Sequence, residues 1–115
     1  MNNLKPKWTK EEMRIYVLIF CVNADFVEHK VETDFILSTT DKEIYQKMHT
    51  EYDRDNDYLS IQKIRNAFET FNYSKNETKI IFNEIKALFF SDGDFSILER
   101  NVLQGLKHIL IEKDN

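Results

Sequence analysis

Apolar residues along this chain recur mostly at steps of three and four, the period of an α-helix with one face turned inward. Met13, Val17, Phe20, Cys21 and Ala24 form one such stripe, and Ile15, Leu18, Ile19 and Val22 widen it until little of the segment faces water. A helix over 10–24 with so broad an apolar surface belongs at the centre of a fold. A short helix over 30–37 follows, burying Val31, Phe35 and Ile36. The third, over 41–52, is mostly polar and offers only Ile44, Met48 and Tyr52, so it lies at an edge. Leu59, Ile61, Ile64, Phe68 and Phe71 describe a fourth helix; Ile81, Ile85, Leu88 and Phe89 mark a fifth over 75–90. Leu98, Val102, Leu103, Leu106, Ile109 and Leu110 mark a sixth over 97–111. The pattern predicts an all-α fold, a compact bundle of about six helices with short connections.

Helix starts are written in the sequence as well. "TKEE", "TDKE", "SKNE" and "SILE" place Thr9, Thr40, Ser74 and Ser96 as N-caps, with Glu12, Glu43, Glu77 and Glu99 three residues on. In such a capping box the hydroxyl accepts an otherwise unpaired backbone N–H, and the carboxylate accepts the cap residue's own N–H. Two glycines and one proline leave few breaks inside the chain, which agrees with a largely helical reading.

A length of 115 residues suits one domain able to bury a sizeable core. Residues 1–9 read as a flexible or loosely packed N-terminal segment. The lone Cys21, inside "YVLIFCVNA", fits a buried small hydrophobe and excludes an intramolecular disulfide. No signal peptide or membrane-spanning run is evident, so a soluble, cytoplasmic protein without a transmembrane segment is expected. The net charge is −4, and "DKEIYQKMHTEYDRDND" concentrates acid on one stretch; such a surface disfavours nucleic acid as a partner.

Residues 23–36, "NADFVEHKVETDFI", can be laid against residues 90–103, "FSDGDFSILERNVL", which pairs Asp25 with Asp92 and Glu32 with Glu99. In both copies a carboxylate lies in the turn, another follows seven residues later, and a long apolar helix precedes them. The offset points to two pseudo-repeated helical hairpins packed face to face.

A long apolar helix, then "(A/S)DG" with a charged residue, then a glutamate opening the next helix, resembles the TerB-like domains of tellurite-resistance proteins, also found at the N-terminus of a membrane-anchored DnaJ-like co-chaperone. The resemblance spans about residues 11–111 and is strongest in "SDGDFSILERNVL"; in the first copy Phe26 stands where glycine is expected. It implies an all-helical docking module in stress-response or membrane-associated assemblies, with acidic positions Asp25, Glu32, Asp92 and Glu99 available to an ion.

For "SDGD" two accounts stand beside a third, a salt bridge to Arg100 or a lysine. In the structural one, Ser96 and Glu99 form a capping box, Asp92 and Asp94 stabilise a tight turn and the following helix dipole, and Gly93 supplies a left-handed backbone position. In the other, Asp92, Asp94 and Glu99, with Asp25 and Glu32 from the first copy, hold Ca²⁺ or Mg²⁺ through oxygen ligands. Retention of Glu32 where the residue matching Ser96 is His29, a poor cap, favours a role beyond capping. "DRDNDYLSIQKI" imitates an EF-hand loop at Asp53, Asp55 and Asp57 but places Tyr58 at the glycine position and Ile64 at the closing glutamate.

Cys21, His29, His49 and His108 contain no close-spaced zinc pair, and two isolated glycines build no phosphate loop. Expected, then, is a non-enzymatic protein-interaction module of TerB-like type with a divalent-cation site at the acidic turns; a Ca²⁺- or Mg²⁺-responsive metal-binding protein is the alternative. Its partner is a protein, a second copy in a homo-oligomer included. Trp8, Tyr45, Tyr52, Tyr58 and Tyr73 are candidates either for the core edge or for a partner surface.

Overall fold

Apolar spacing and capping chemistry together set where each helix begins and what it buries. The computed structural model describes residues 7–23, 29–91, 93 and 96–110. Among them are six helices: α1 (Lys10–Val22), α2 (Lys30–Leu37), α3 (Lys42–Arg54), α4 (Asp57–Phe71), α5 (Lys75–Phe90) and α6 (Ile97–Leu110). No described helix is long and apolar enough to cross a membrane.

Three of the expected capping boxes form. Thr9 Oγ1 accepts the Glu12 N–H at 3.0 Å while Glu12 accepts the Thr9 N–H at 2.9 Å. Ser74 with Glu77 and Ser96 with Glu99 repeat the exchange. The Thr40–Glu43 box does not form: α3 begins one residue later, Asp41 is its N-cap without a side-chain bond, and the Thr40 hydroxyl donates to Glu11 Oε2 at 2.7 Å. A tertiary acceptor has outcompeted the local N–H. α4 is capped by Asn56, whose Oδ1 accepts the Leu59 N–H at 2.8 Å. Its C-cap Asn72 closes the helix in the left-handed region at φ 51°, a conformation that asparagine tolerates better than most residues.

α1 sits at the centre. It packs against all five other helices, and Met13, Ile15, Tyr16, Val17, Leu18, Ile19, Cys21 and Val22 are buried. α2 lies on α3 and α5, α4 and α5 both reach α6, and the two hairpins α1–α2 and α5–α6 share the core. α3 is peripheral as expected, seating Met48 against α1. Helix limits shift slightly from the spacing: α1 ends at Val22 and α3 runs on to Arg54; Ala24 and Ile111 lie outside the described residues. α2 corrects the expected inward face, for Val31 is half exposed while Glu32 and Ile36 are buried. On α6, Leu98 is largely exposed while Leu103, Leu106 and Leu110 are buried. Of the segment expected to be loose, Trp8 is buried, its ring 4.5 Å from that of Tyr16.

The buried face of α4 is Ser60, Lys63, Ile64, Ala67 and Phe68, so a lysine points into the core. Lys63 Nζ donates to Asp55 Oδ2 and Glu51 Oε2, each at 2.9 Å. The Tyr16 hydroxyl donates to Asp55 at 2.6 Å and lies 2.9 Å from Ser60 Oγ, and the Trp8 indole N–H reaches both Glu51 oxygens at 3.1 and 3.2 Å. Two carboxylates thus satisfy a cation that would otherwise be costly to bury, and Trp8 and Tyr16 in turn bond those carboxylates. Burial alone would lower the Lys63 pKa, but the hydrogen bonds to Asp55 and Glu51 outweigh it and hold the ammonium above its ordinary value. Burial, then the bond to Asp55, pushes the Tyr16 phenol well above its own. Burial pushes Tyr73 up to about 12.

Removal of Lys63 leaves Asp55 enclosed without its counter-charge. Lys63→Met is expected to lose about 3 kcal/mol in urea unfolding, and Lys63→Met with Asp55→Asn to regain part of it; Lys47→Met, at an exposed pair with Glu12, leaves the midpoint nearly unchanged. Equal effects at Lys63 and Lys47 contradict the enclosed network. Because Tyr16, Tyr73 and Lys63 all have raised values, their stabilisation is complete below the unfolded-state pKa of about 10 and disappears as pH rises through the folded-state values. Melting temperature should stay level from about pH 7 to about 9.5 and fall above about 10; a drop already at about pH 8.5 contradicts this.

Candidate functional site

The two elbows that follow α1 and α5 are where the sequence places its acidic residues. Asp25, Asp92 and Asp94 lie outside the described residues, as does Phe95, expected to staple the start of α6. Glu32 and Glu99 are described, and each occupies the third position of its helix, α2 and α6. Glu32 is 0 % exposed, with both carboxylate oxygens sealed from solvent, and Glu99 is 3 % exposed. Helical position and burial therefore match at these two residues.

Their difference is equally informative. Glu99 Oε1 accepts the Ser96 N–H at 2.9 Å, and Ser96 Oγ accepts the Glu99 N–H at 3.1 Å, so capping engages this carboxylate. At the other elbow His29 is the N-cap and forms no side-chain capping bond. Glu32 is therefore buried for a reason other than a capping box. Gly93, in the second elbow, has φ 81°, the left-handed conformation expected of it; Phe26, the equivalent residue, lies outside the described residues.

Both carboxylates act electrostatically on Cys21, in the last turn of α1. Burial raises the thiol's pKa most, and the negative charges of Glu32 and Glu99 add to it. A thiol so placed has little thiolate at neutral pH and makes a poor nucleophile or soft-metal ligand. Carboxylate oxygens of this kind suit a hard divalent cation rather than zinc. Among the described residues, no group of three histidine, cysteine or acidic side chains converges on one point.

The imitation EF-hand resolves differently. Asp55 turns inward to Lys63 and Tyr16, Asp53 lies 3.1 Å from His49 Nδ1 on the outer side of α3, and Asp57 belongs to the first turn of α4. The three aspartates are thus distributed among separate contacts. The cation that Asp55 meets is an ammonium. Spacing alone missed this cluster, although Ser60, Lys63, Ile64, Ala67 and Phe68 share a helix face by their steps of three and four, and a lysine on such a face requires acidic partners.

The expected aromatic residues divide by environment. Tyr45 and Tyr52 pack at the core edge, as does Tyr73, whose ring lies beneath Lys10 Nζ at 5.0 Å and stacks near Phe71 and Phe68. Tyr58 stands exposed. Comparison of the chain with protein-family models, with curated proteins and with solved structures gives no match in any of the three.

The enclosure of Cys21 can be read directly. In native protein near neutral pH a maleimide should leave Cys21 unmodified over hours, with stoichiometric labelling after denaturation. Rapid labelling of the folded chain contradicts the burial of Cys21 in the core.

Proposed function

We propose that this chain is a non-enzymatic protein-interaction module of TerB-like type, in which the elbows after α1 and α5 are steadied by a divalent cation such as Ca²⁺ or Mg²⁺. The observation that carries the reading is the burial of Glu32 and Glu99 at the same helical position. Asp25 and Asp92, one turn segment earlier, are the further oxygen donors the reading requires, with Asp94 as an additional ligand. A hard cation would take these carboxylate oxygens as ligands and hold the α1–α2 and α5–α6 hairpins in register. The polar network around Lys63 serves cohesion, joining α1, α3 and α4, and leaves binding to the surface. A role in stress-response assemblies follows from the resemblance of "SDGDFSILERNVL" to its family.

The same buried glutamates favour one alternative, a protein whose response to Ca²⁺ or Mg²⁺ is itself the function. The two readings differ in the size of the response. A ligand at a hundredfold excess over its dissociation constant stabilises the native state by about 2.7 kcal/mol, a rise of about 10 °C or more in a chain of this size. With millimolar Ca²⁺ or Mg²⁺ a sensor should show that rise and a broad change in its amide spectrum, both abolished by Asp92→Asn with Glu99→Gln. The interaction module should instead shift little and local to the elbows, and the immobilised wild-type chain should retain a stoichiometric protein partner from an extract of its source cells. A large global response without any retained partner contradicts the module and supports the sensor.

A further inference from the structure

One groove of about 780 Å³ lies between the end of α4 and the exposed sides of α5 and α6. Phe68, Tyr73, Phe82 and Leu110 line its apolar part, while Lys75, Lys79, Lys86 and Lys107 line its polar part. Glu69 is the sole carboxylate among the described lining residues. This local excess of positive charge belongs to a chain whose net charge is −4.

The pairing of lysines elsewhere makes the excess more pointed. Of the other described lysines, Lys10, Lys30, Lys47 and Lys63 each bond a carboxylate within 2.9 Å, whereas Lys7 and Lys42 form no ion pair among the described residues. Among the described residues, none of the four groove lysines forms an ion pair. Lys75, Lys79 and Lys86 follow one face of α5, which places the first and last about 16 Å apart along the axis. That is a line of point charges, whereas a compact phosphate site gathers backbone N–H groups or arginine forks at one point. A line of this length matches about five residues of an extended chain. Asn72, Thr78 and Asn83, also in the lining, offer hydrogen bonds to a peptide backbone, and the aromatic floor accepts an apolar side chain between them.

We propose that this groove is a docking site for an acidic peptide segment of a partner protein, in which carboxylates flank a leucine or phenylalanine. The assignment rests on the interaction-module reading and adds the chemistry of the partner. Carboxylates align with Lys75, Lys79, Lys86 and Lys107, and the apolar residue enters beside Phe82 and Leu110. Long polyanions are disfavoured because the chain as a whole carries a net charge of −4.

The test uses the full chain and a fluorescein-labelled dodecapeptide of glutamate, aspartate, leucine and phenylalanine, followed by anisotropy. Binding should weaken at least about tenfold in Lys79→Glu with Lys86→Glu, two exposed positions whose reversal leaves the helical spectrum unchanged. It should weaken likewise as salt is raised from about 0.05 M to about 0.3 M, and when leucine and phenylalanine are replaced by serine. Oligothymidylate of equal charge should bind more weakly than the peptide. Unchanged peptide affinity in the charge-reversed variant, no binding at low salt, or tighter binding of the oligonucleotide overturns the assignment. Any of these leaves the interaction module standing, because retention of a partner is scored separately with the wild-type chain.

Discussion

A helix with almost no side left for water constrains everything around it. Eight of the residues of α1, from Met13 to Val22, are withdrawn from solvent, and their burial requires cover from several directions at once. At about 25 cal/mol per Å² of apolar surface, each large side chain hidden this way contributes about 1.5–3 kcal/mol. The other five helices all touch α1. Their own apolar stripes are narrower, and the sides they turn away from α1 carry most of the charge. Cover also fixes the locations of polar chemistry: Tyr16 brings a hydroxyl to Asp55 and Ser60, and Cys21 places a thiol wholly inside the core.

Ion pairs work outward from this frame. Arg14, the polar interruption in α1, bonds Glu11 on its own helix and Glu84 on α5, and donates to the Thr39 carbonyl at 3.1 Å. Lys63 performs the corresponding task between α3 and α4, in a drier setting. Exposed pairs such as Lys30 with Asp34 add little to stability, whereas the enclosed ones specify which helices meet. Four lysines without such partners among the described residues, Lys75, Lys79, Lys86 and Lys107, line the groove beside α5.

Much of the architecture was legible because helices announce themselves locally. The three boxes at Thr9, Ser74 and Ser96 depend on residues three apart, and the apolar stripes of α1 and α5 on residues three and four apart. Where the reading failed, a distant residue had intervened. Thr40 turned to Glu11, twenty-nine positions away, and gave up its expected cap. Lys63 entered the core because Asp55 and Glu51 met it there, and Trp8 left the loose N-terminal segment because Tyr16 and Glu51 bound it. At the candidate site, the equivalence of Glu32 and Glu99 could be seen by aligning the elbows; that both are enclosed, and that they share Cys21, follows from packing between hairpins far apart in sequence. The lysine-lined groove was hidden for the same reason, as Lys107 joins the three α5 lysines only in the folded chain.

Native-state hydrogen exchange of the backbone amides tests the central place of α1 most directly. The amides of residues 15–21 should exchange slowest, only through global unfolding, while those of α3 open by smaller local motions. Exchange from α1 that is as fast as exchange from α3, or independent of global stability, would contradict a fold assembled around this helix.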